Sequence, residues 1–252
     1  MDTPEIESAG TVEPPPAPPP VTWIDRLQAA FEVLLVAGLL SSLLAALPFS
    51  FNPNLRARLM TDASLTISFI LIEAFLTMGF LMLVLRAHRQ RIRDLGLASP
   101  GWRGDVILGV AVVPLLFLLN LTIAILFKLI LPQYFLERNP LTELIRTPRD
   151  LMLFLFAALM AGGFKEEFQR AFILRRFERY LGGAWLGLLL WSVVFGLGHY
   201  VQGAQGVTAA AVFGLLFGCL YLIRGNLIAP IVAHALYDTA ALLGYWFLSP
   251  RS

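Results

Sequence analysis

Six ionisable side chains stand inside stretches that otherwise read as lipid-soluble. Glu166, Glu167 and Arg170 lie in AGGFKEEFQRAFIL, His199 lies near the end of WSVVFGLGHY, and His234 and Asp238 lie in APIVAHALYDTAALLGYW. A charge at the centre of a bilayer costs about 3 kcal/mol or more, so such residues point to function first. The chemistry open to this set is hydrolysis. A carboxylate with a histidine activates water as a general base. A second histidine with a polar neighbour stabilises a developing oxyanion. Two histidines and a glutamate also make adequate zinc ligands, which keeps a zinc-dependent site as an alternative. There is no H-E-x-x-H, however, and the histidines stand on separate segments. Nor does a Gly-x-Ser-x-Gly or a pair of aspartates in the late segments point to a serine or aspartyl site.

Spacing assigns partners. Glu166 and Arg170 are four residues apart, as are His234 and Asp238, so each pair shares one helix face. Glu167 points about 100° away from Glu166 at 3.6 residues per turn. The pattern predicts an ion pair between Arg170 and Glu166. One of the two glutamates then activates water with His199, while His234 and Asp238 position the scissile carbonyl. Asp238 is a poor oxyanion donor when ionised, so it orients His234 or is itself protonated. Depth agrees for part of the set: Glu166 precedes Arg175, and His234 follows Arg224, by about 13 and 15 Å at 1.5 Å per residue. His199 falls deeper by this reckoning unless its helix starts inside the membrane. Of the other ionisable groups, Glu73 has no evident partner and reads as a packing or cavity residue. Glu32 is expected to snorkel, and His88 to be solvated in a basic loop. Cys219 is the single cysteine, reads as a packing residue and excludes an intrachain disulfide.

The elements that must hold these residues are membrane helices. The 252 residues are 58% hydrophobic and only 14% charged, with mean hydropathy +0.73, against about 25% charged in a soluble domain. The fold class is therefore all-α, a polytopic transmembrane helical bundle. About seven spans of the required length are expected, at 27–48, 63–85, 105–131, 150–173, 184–201, 207–223 and 227–248. Residues 1–22 form a proline-rich tail expected to be disordered, without the basic start and apolar core of a signal peptide. A net charge of +2 gives no reason to expect nucleic acid.

Arginines fall in the connections after the second, fourth and sixth spans: Arg86, Arg89, Arg91, Arg93 and Arg103, then Arg175, Arg176 and Arg179, then Arg224. By the positive-inside rule these connections and the N-terminus are cytoplasmic. FLERNPLTELIRTPRD then faces outward, with a short interfacial helix. Gly214 and Gly218 form a G-x-x-x-G pair suited to close helix packing. No internal repeat of the kind a transporter shows is evident.

These motifs resemble the CPBP family, the CAAX-processing and bacteriocin-processing (Abi) intramembrane endopeptidases. The family pattern is E-E-x-x-x-R, then F-x-x-x-H, then H-x-x-x-N or H-x-x-x-D. Phe195 and His199 fit the second motif, and His234 and Asp238 fit the third. The first departs: here it reads E-E-x-x-R. Aligned on Arg170, Lys165 takes the place of the first glutamate, which in the family is taken to activate the water. That role passes to Glu166, or to Glu167 if a π-bulge beside Gly162–Gly163 rewinds the helix. Lys165 then stands as a cation beside the carboxylates.

The resemblance covers roughly 145–245. It implies a membrane bundle with an active site open to the cytoplasm, and residues 136–252 as the catalytic core behind N-terminal helices 23–135. The substrate it implies is a membrane-associated protein or peptide, met at the lipid bilayer. Eukaryotic relatives remove the last three residues of prenylated CAAX proteins, and many bacterial relatives are linked to bacteriocin maturation or self-immunity. It implies a glutamate mechanism without a cofactor. The departure in the first motif keeps an inactive scaffold or immunity protein as the other reading.

Overall fold

The computed structural model describes residues 20–97 and 99–248. Residues 1–19, most of the expected proline-rich tail, lie outside them. Among the described residues all regular structure is helical. α1 (Trp23–Val36) starts on a capping box in which Thr22 and Asp25 satisfy each other's backbone N–H. α2 (Leu39–Ser50) continues that span after a break at Gly38. Gly38 has φ 94°, and a Cβ there would lie 3.1 Å from Glu73 Oε1, so both backbone and space require glycine. A short α3 (Pro53–Arg58) leads to α4 (Ala63–Ala87), capped by Asp62, and then to α5 (Trp102–Ile130). α6 (Pro148–Ala157) starts on a second capping box, Thr147 with Asp150. It runs without a break through a π-helical segment, Ala158–Glu166, into α7 (Glu167–Tyr180). α8 (Ala184–Gly198), α9 (Gly203–Arg224) and α10 (Ile228–Leu248) complete the bundle.

All seven expected spans fall on helices, and five of these helical stretches are long and apolar enough to cross a membrane: Trp23–Ser50, Ala63–Ala87, Trp102–Ile130, Tyr200–Arg224 and Ile228–Leu248. The other two fall short for different reasons. α8 has 15 residues, about 22 Å of rise against a hydrocarbon core of about 30 Å. The α6–π–α7 helix is long enough but carries Lys165, Glu166, Glu167 and Arg170 at its middle. α8 lies tightly on α9, as its small residues predict. A Cβ on Gly196 would sit 2.7 Å from the Val207 carbonyl oxygen, and one on Gly214 would sit 3.2 Å from Phe195 Cδ1.

Contacts between connections define two ends. At one, Leu227 N donates to the Gly96 carbonyl (2.9 Å), Arg224 pairs with Asp105 (2.6 Å), and Arg176 pairs with Glu32 (2.7 Å). At the other, Asn139 donates to Gln202 (2.9 Å) and Leu136 N donates to Gln205 (3.3 Å). The arginine-rich end corrects three expectations. Glu32 does not snorkel: it is buried, held by Arg176 and by His88 Nε2 at 2.6 Å. His88 is thus a partner rather than a solvated loop residue. Arg175, Arg176 and Arg179 lie on α7 itself, because that helix runs on to Tyr180. At the opposite end, the segment 135–150, expected to hold a short interfacial helix, contains one 3-10 turn, Thr142–Leu144, ahead of the start of α6.

Candidate active site

The π-helical segment determines how the site is built. One wide turn admits an extra residue and rotates the helix beyond it. Gly162 and Gly163 lie inside it, and α10 fills the space their side chains would need. A Cβ on Gly162 would lie 2.6 Å from Asp238 Oδ2 and 3.3 Å from His234 Nε2, and one on Gly163 would lie 3.1 Å from Ala235 Cβ. The segment therefore brings the backbone of the α6–α7 helix directly onto the third motif. A π-helical segment does run through the glycine pair, the condition under which the sequence reading passes the water-activating role to Glu167.

Rewinding sends the two glutamates to different places. Glu167 points into the protein and is fully buried. It forms an ion pair with Arg170, three residues on, and its Oε1 accepts from His234 Nδ1 at 2.7 Å. The predicted Glu166–Arg170 pair is therefore corrected to Glu167–Arg170. Spacings of three and four both bring residues together on a helix, and here the interior position of Arg170 decides between them. Its guanidinium is completely buried, over the rings of Phe195 (4.9 Å to the centroid) and Phe217 (5.5 Å). Glu167 is the carboxylate that shares this interior. Cation–π contact of a desolvated arginine contributes about 2 kcal/mol, which helps offset the burial of its charge.

Glu166 faces the other way. It lines a cavity of about 760 Å³ together with His199, His234, Asp238, Phe195 and Tyr237. Its Oε2 lies 3.8 Å from His234 Nε2, and Asp238 Oδ2 lies 3.6 Å from the same nitrogen. The His234 ring stacks on Phe217, with centroids 4.6 Å apart and planes at 19°. His199 sits just past the end of α8. Its Nδ1 lies 2.8 Å from the Phe195 carbonyl oxygen; a carbonyl only accepts, so Nδ1 carries the proton and Nε2 is left as an acceptor. Four of the six residues read from the sequence thus line one cavity, and Glu167 and Arg170 lie buried behind them.

Lys165 does not stand beside the two glutamates. Its Nζ lies 2.9 Å from Glu73 Oε2, on the far side of the π-helical segment. Glu73 also accepts from Ser41 (3.0 Å) and Thr77 (2.9 Å), and Gln169 Nε2 donates to the Val36 carbonyl at 2.6 Å. This second polar cluster ties the break in the first span, and α4, to the helix that carries the site. Sequence reading found no partner for Glu73 because Lys165 lies on a helix distant in the chain.

Cavity residues also missed include Tyr237, Asn120, Asn139, Gln202 and Gln205. Two had a signal: Tyr237 follows His234 by three residues, and Asn120 interrupts the apolar run LLFLLNLTIAIL. Among the described residues no three His, Cys, Asp or Glu side chains converge as a metal would need.

The cavity's position separates two expectations that had agreed. Its lining runs from Glu166, His234 and Phe213 at mid-bundle to Leu136–Thr142, Gln202 and Tyr245 at the end remote from the arginine-rich connections. The cytoplasmic opening implied by the resemblance and the cytoplasmic placing of those connections therefore exclude one another.

Comparison with curated proteins and with solved structures gives no match. A family model described as "Type II CAAX prenyl endopeptidase Rce1-like" matches residues 147–240, close to the 145–245 over which the motifs resemble the CPBP proteases. All six motif residues fall inside it, within a chain of membrane-spanning helices. Residues 147–240 are thus similar to the Rce1-like type II CAAX prenyl endopeptidases.

Proposed function

We propose that this membrane protein is an endopeptidase that hydrolyses peptide bonds of membrane-associated proteins or peptides with a glutamate-activated water, without a cofactor. The observation that carries this reading is the division of labour between the two glutamates. Glu166 borders the cavity with His199, His234 and Asp238, while Glu167 is spent on Arg170 and His234. In this reading residues 136–252 are the catalytic core and helices 23–135 support it.

Glu166 takes a proton from a water as the water oxygen attacks the carbonyl carbon. The acceptor nitrogen of His199, held in its tautomer by the Phe195 carbonyl, fixes that water. His234 presents Nε2 to the developing oxyanion, and Glu167 holds the ring in place at Nδ1. As the C–N bond breaks, Glu166 returns the proton to the leaving nitrogen. The products are a carboxylic acid and an amine, which leave as carboxylate and ammonium once the acid proton passes to the amine. Glu167 and Arg170 touch no reacting atom and act through His234.

The test is cleavage of a quenched fluorescent peptide library, with prenylated CAAX peptides included, by protein purified into lipid nanodiscs. Glu166→Gln is expected to lower turnover at least ~100-fold, the low end for loss of a general base, and a chelator to leave it unchanged. Full activity in Glu166→Gln would remove Glu166 from this role. Activity abolished by the chelator would replace the mechanism with the zinc alternative.

A further inference from the structure

We propose that Asn120 positions the substrate: its carboxamide pairs with the main chain of a peptide lying extended along the cavity, about two or three residues from the scissile bond. This rests on the proposed proteolysis and names a substrate-binding residue on α5, outside the segment that the family model matches.

Asn120 interrupts the apolar run LLFLLNLTIAIL. A polar side chain inside a span is costly unless it finds a partner. Thr122, two residues on, finds one within its own helix by donating to the Leu118 carbonyl (2.8 Å). Asn120 is half-buried, lines the cavity and has no hydrogen-bond partner among the described residues. The other amides of the lining are engaged by the protein: Asn139 donates to Gln202 (2.9 Å), and Gln205 accepts from Leu136 N (3.3 Å). Asn120 is thus the lining amide left for a ligand.

Packing fixes where that amide stands. α5 and α10 start at the same end, where Arg224 and Asn226 donate to Asp105 (2.6 and 3.0 Å), and they run side by side. A Cβ on Gly109 would lie 2.8 Å from the Ala229 carbonyl oxygen. About two turns on, the Phe117 ring lies 4.8 Å from that of Tyr237. Both contacts carry the same sequence offset, which sets Asn120 level with Ala240. That level is about 9 Å beyond His234 at 1.5 Å per residue. An extended chain rises about 3.3 Å per residue, so a peptide whose scissile carbonyl meets His234 brings its second or third residue to Asn120. Tyr237 also packs on Phe213 (4.9 Å between centroids), so this wall is set before a ligand arrives. A carboxamide both donates and accepts, and one extended residue presents its N–H and C=O on the same edge. Ile67, Ile70 and Leu242, elsewhere in the lining, offer only apolar contact.

The experiment measures, by fluorescence anisotropy, binding of labelled library peptides to the full chain carrying Glu166→Gln in nanodiscs. An ester is then placed in turn at each main-chain amide of the tightest binder, which removes one N–H donor at a time. One ester near the scissile bond is expected to weaken binding about fivefold, the worth of one hydrogen bond. With Asn120→Leu added, the all-amide peptide binds less tightly, that ester costs nothing further, and penalties at other positions persist. Asn120→Gln, which keeps the amide, restores part of the affinity, and Asn120→Ala gives the same readout should the leucine variant not fold. In the chain with Glu166 intact, Asn120→Leu is expected to raise KM about fivefold and leave kcat nearly unchanged, as loss of a contact made alike in ground and transition states does. The same ester penalties with and without Asn120, the result of a merely structural role, overturn the inference. Cleavage with KM and affinity indifferent to Asn120 overturns it too and leaves the proteolytic reading standing. Binding that depends on Asn120, without cleavage by the parent chain, supports the inference and overturns the proteolytic reading instead. Neither binding nor cleavage of any library peptide overturns both.

Discussion

Glu166 and Glu167 are adjacent and chemically identical, yet one borders the cavity and the other is enclosed by the protein. Glu167 is fully buried with Arg170, and neither charge has water to fall back on. Removing one member of a buried pair leaves the other uncompensated and costs about 3–5 kcal/mol. Glu167→Gln is therefore expected to lower the thermal stability of the purified protein strongly. Glu166→Gln, at the cavity wall, should leave the melting temperature near that of the parent while removing turnover. Equal melting temperatures for both variants would contradict the assignment. The sequence marked both residues as functional, and the depth of Glu166 matched that of His234, which their 3.8 Å approach bears out. It did not tell which glutamate Arg170 would hold, because spacings of three and four are both contact spacings on a helix. That choice is made by Phe195 and Phe217, from two other helices.

At the scale of elements, hydropathy makes helices and their limits legible, since a span must satisfy its backbone internally and be apolar over a known length. It made the break at Gly38 and the partners of buried charges much less so. Lys165 reads as an extra cation beside the active carboxylates, but it crosses to Glu73 on α4 and pins the far face of the π-helical segment. This predicts a specific non-additivity. Glu73→Gln strands the Lys165 ammonium and should destabilise by about 3 kcal/mol. Glu73→Gln combined with Lys165→Met removes both charges and should recover much of that loss. A double-mutant cycle on unfolding measures the coupling; additive costs would mean that the pair holds nothing together. The α6–π–α7 helix illustrates the limit of a hydropathy reading from the other direction. The charges that make it look unsuited to lipid are the ones the bundle encloses.

For the molecule as a whole, the two ends differ in kind. One is closed by ion pairs and a dense apolar core, and the other gives onto the cavity beneath the 136–142 connection. The hydrogen bond from Gln169 to the Val36 carbonyl has a consequence for dissecting the protein. The break at Gly38 leaves that carbonyl without its usual helical donor, and α7 supplies one. The dependence is mutual: Gln169, Lys165 and Arg176 all find partners on the first two spans. A fragment of residues 136–252 would expose an amide and two cations to hydrocarbon, each at a cost of several kcal/mol. The matched segment is thus not a self-sufficient module. Expressed alone it should be degraded or aggregate, whereas co-expression of residues 1–135 as a separate chain should restore a monodisperse particle in size-exclusion chromatography. Such a split protein would reassemble through its buried charges, and a stable, active 136–252 fragment would show that the first spans are dispensable.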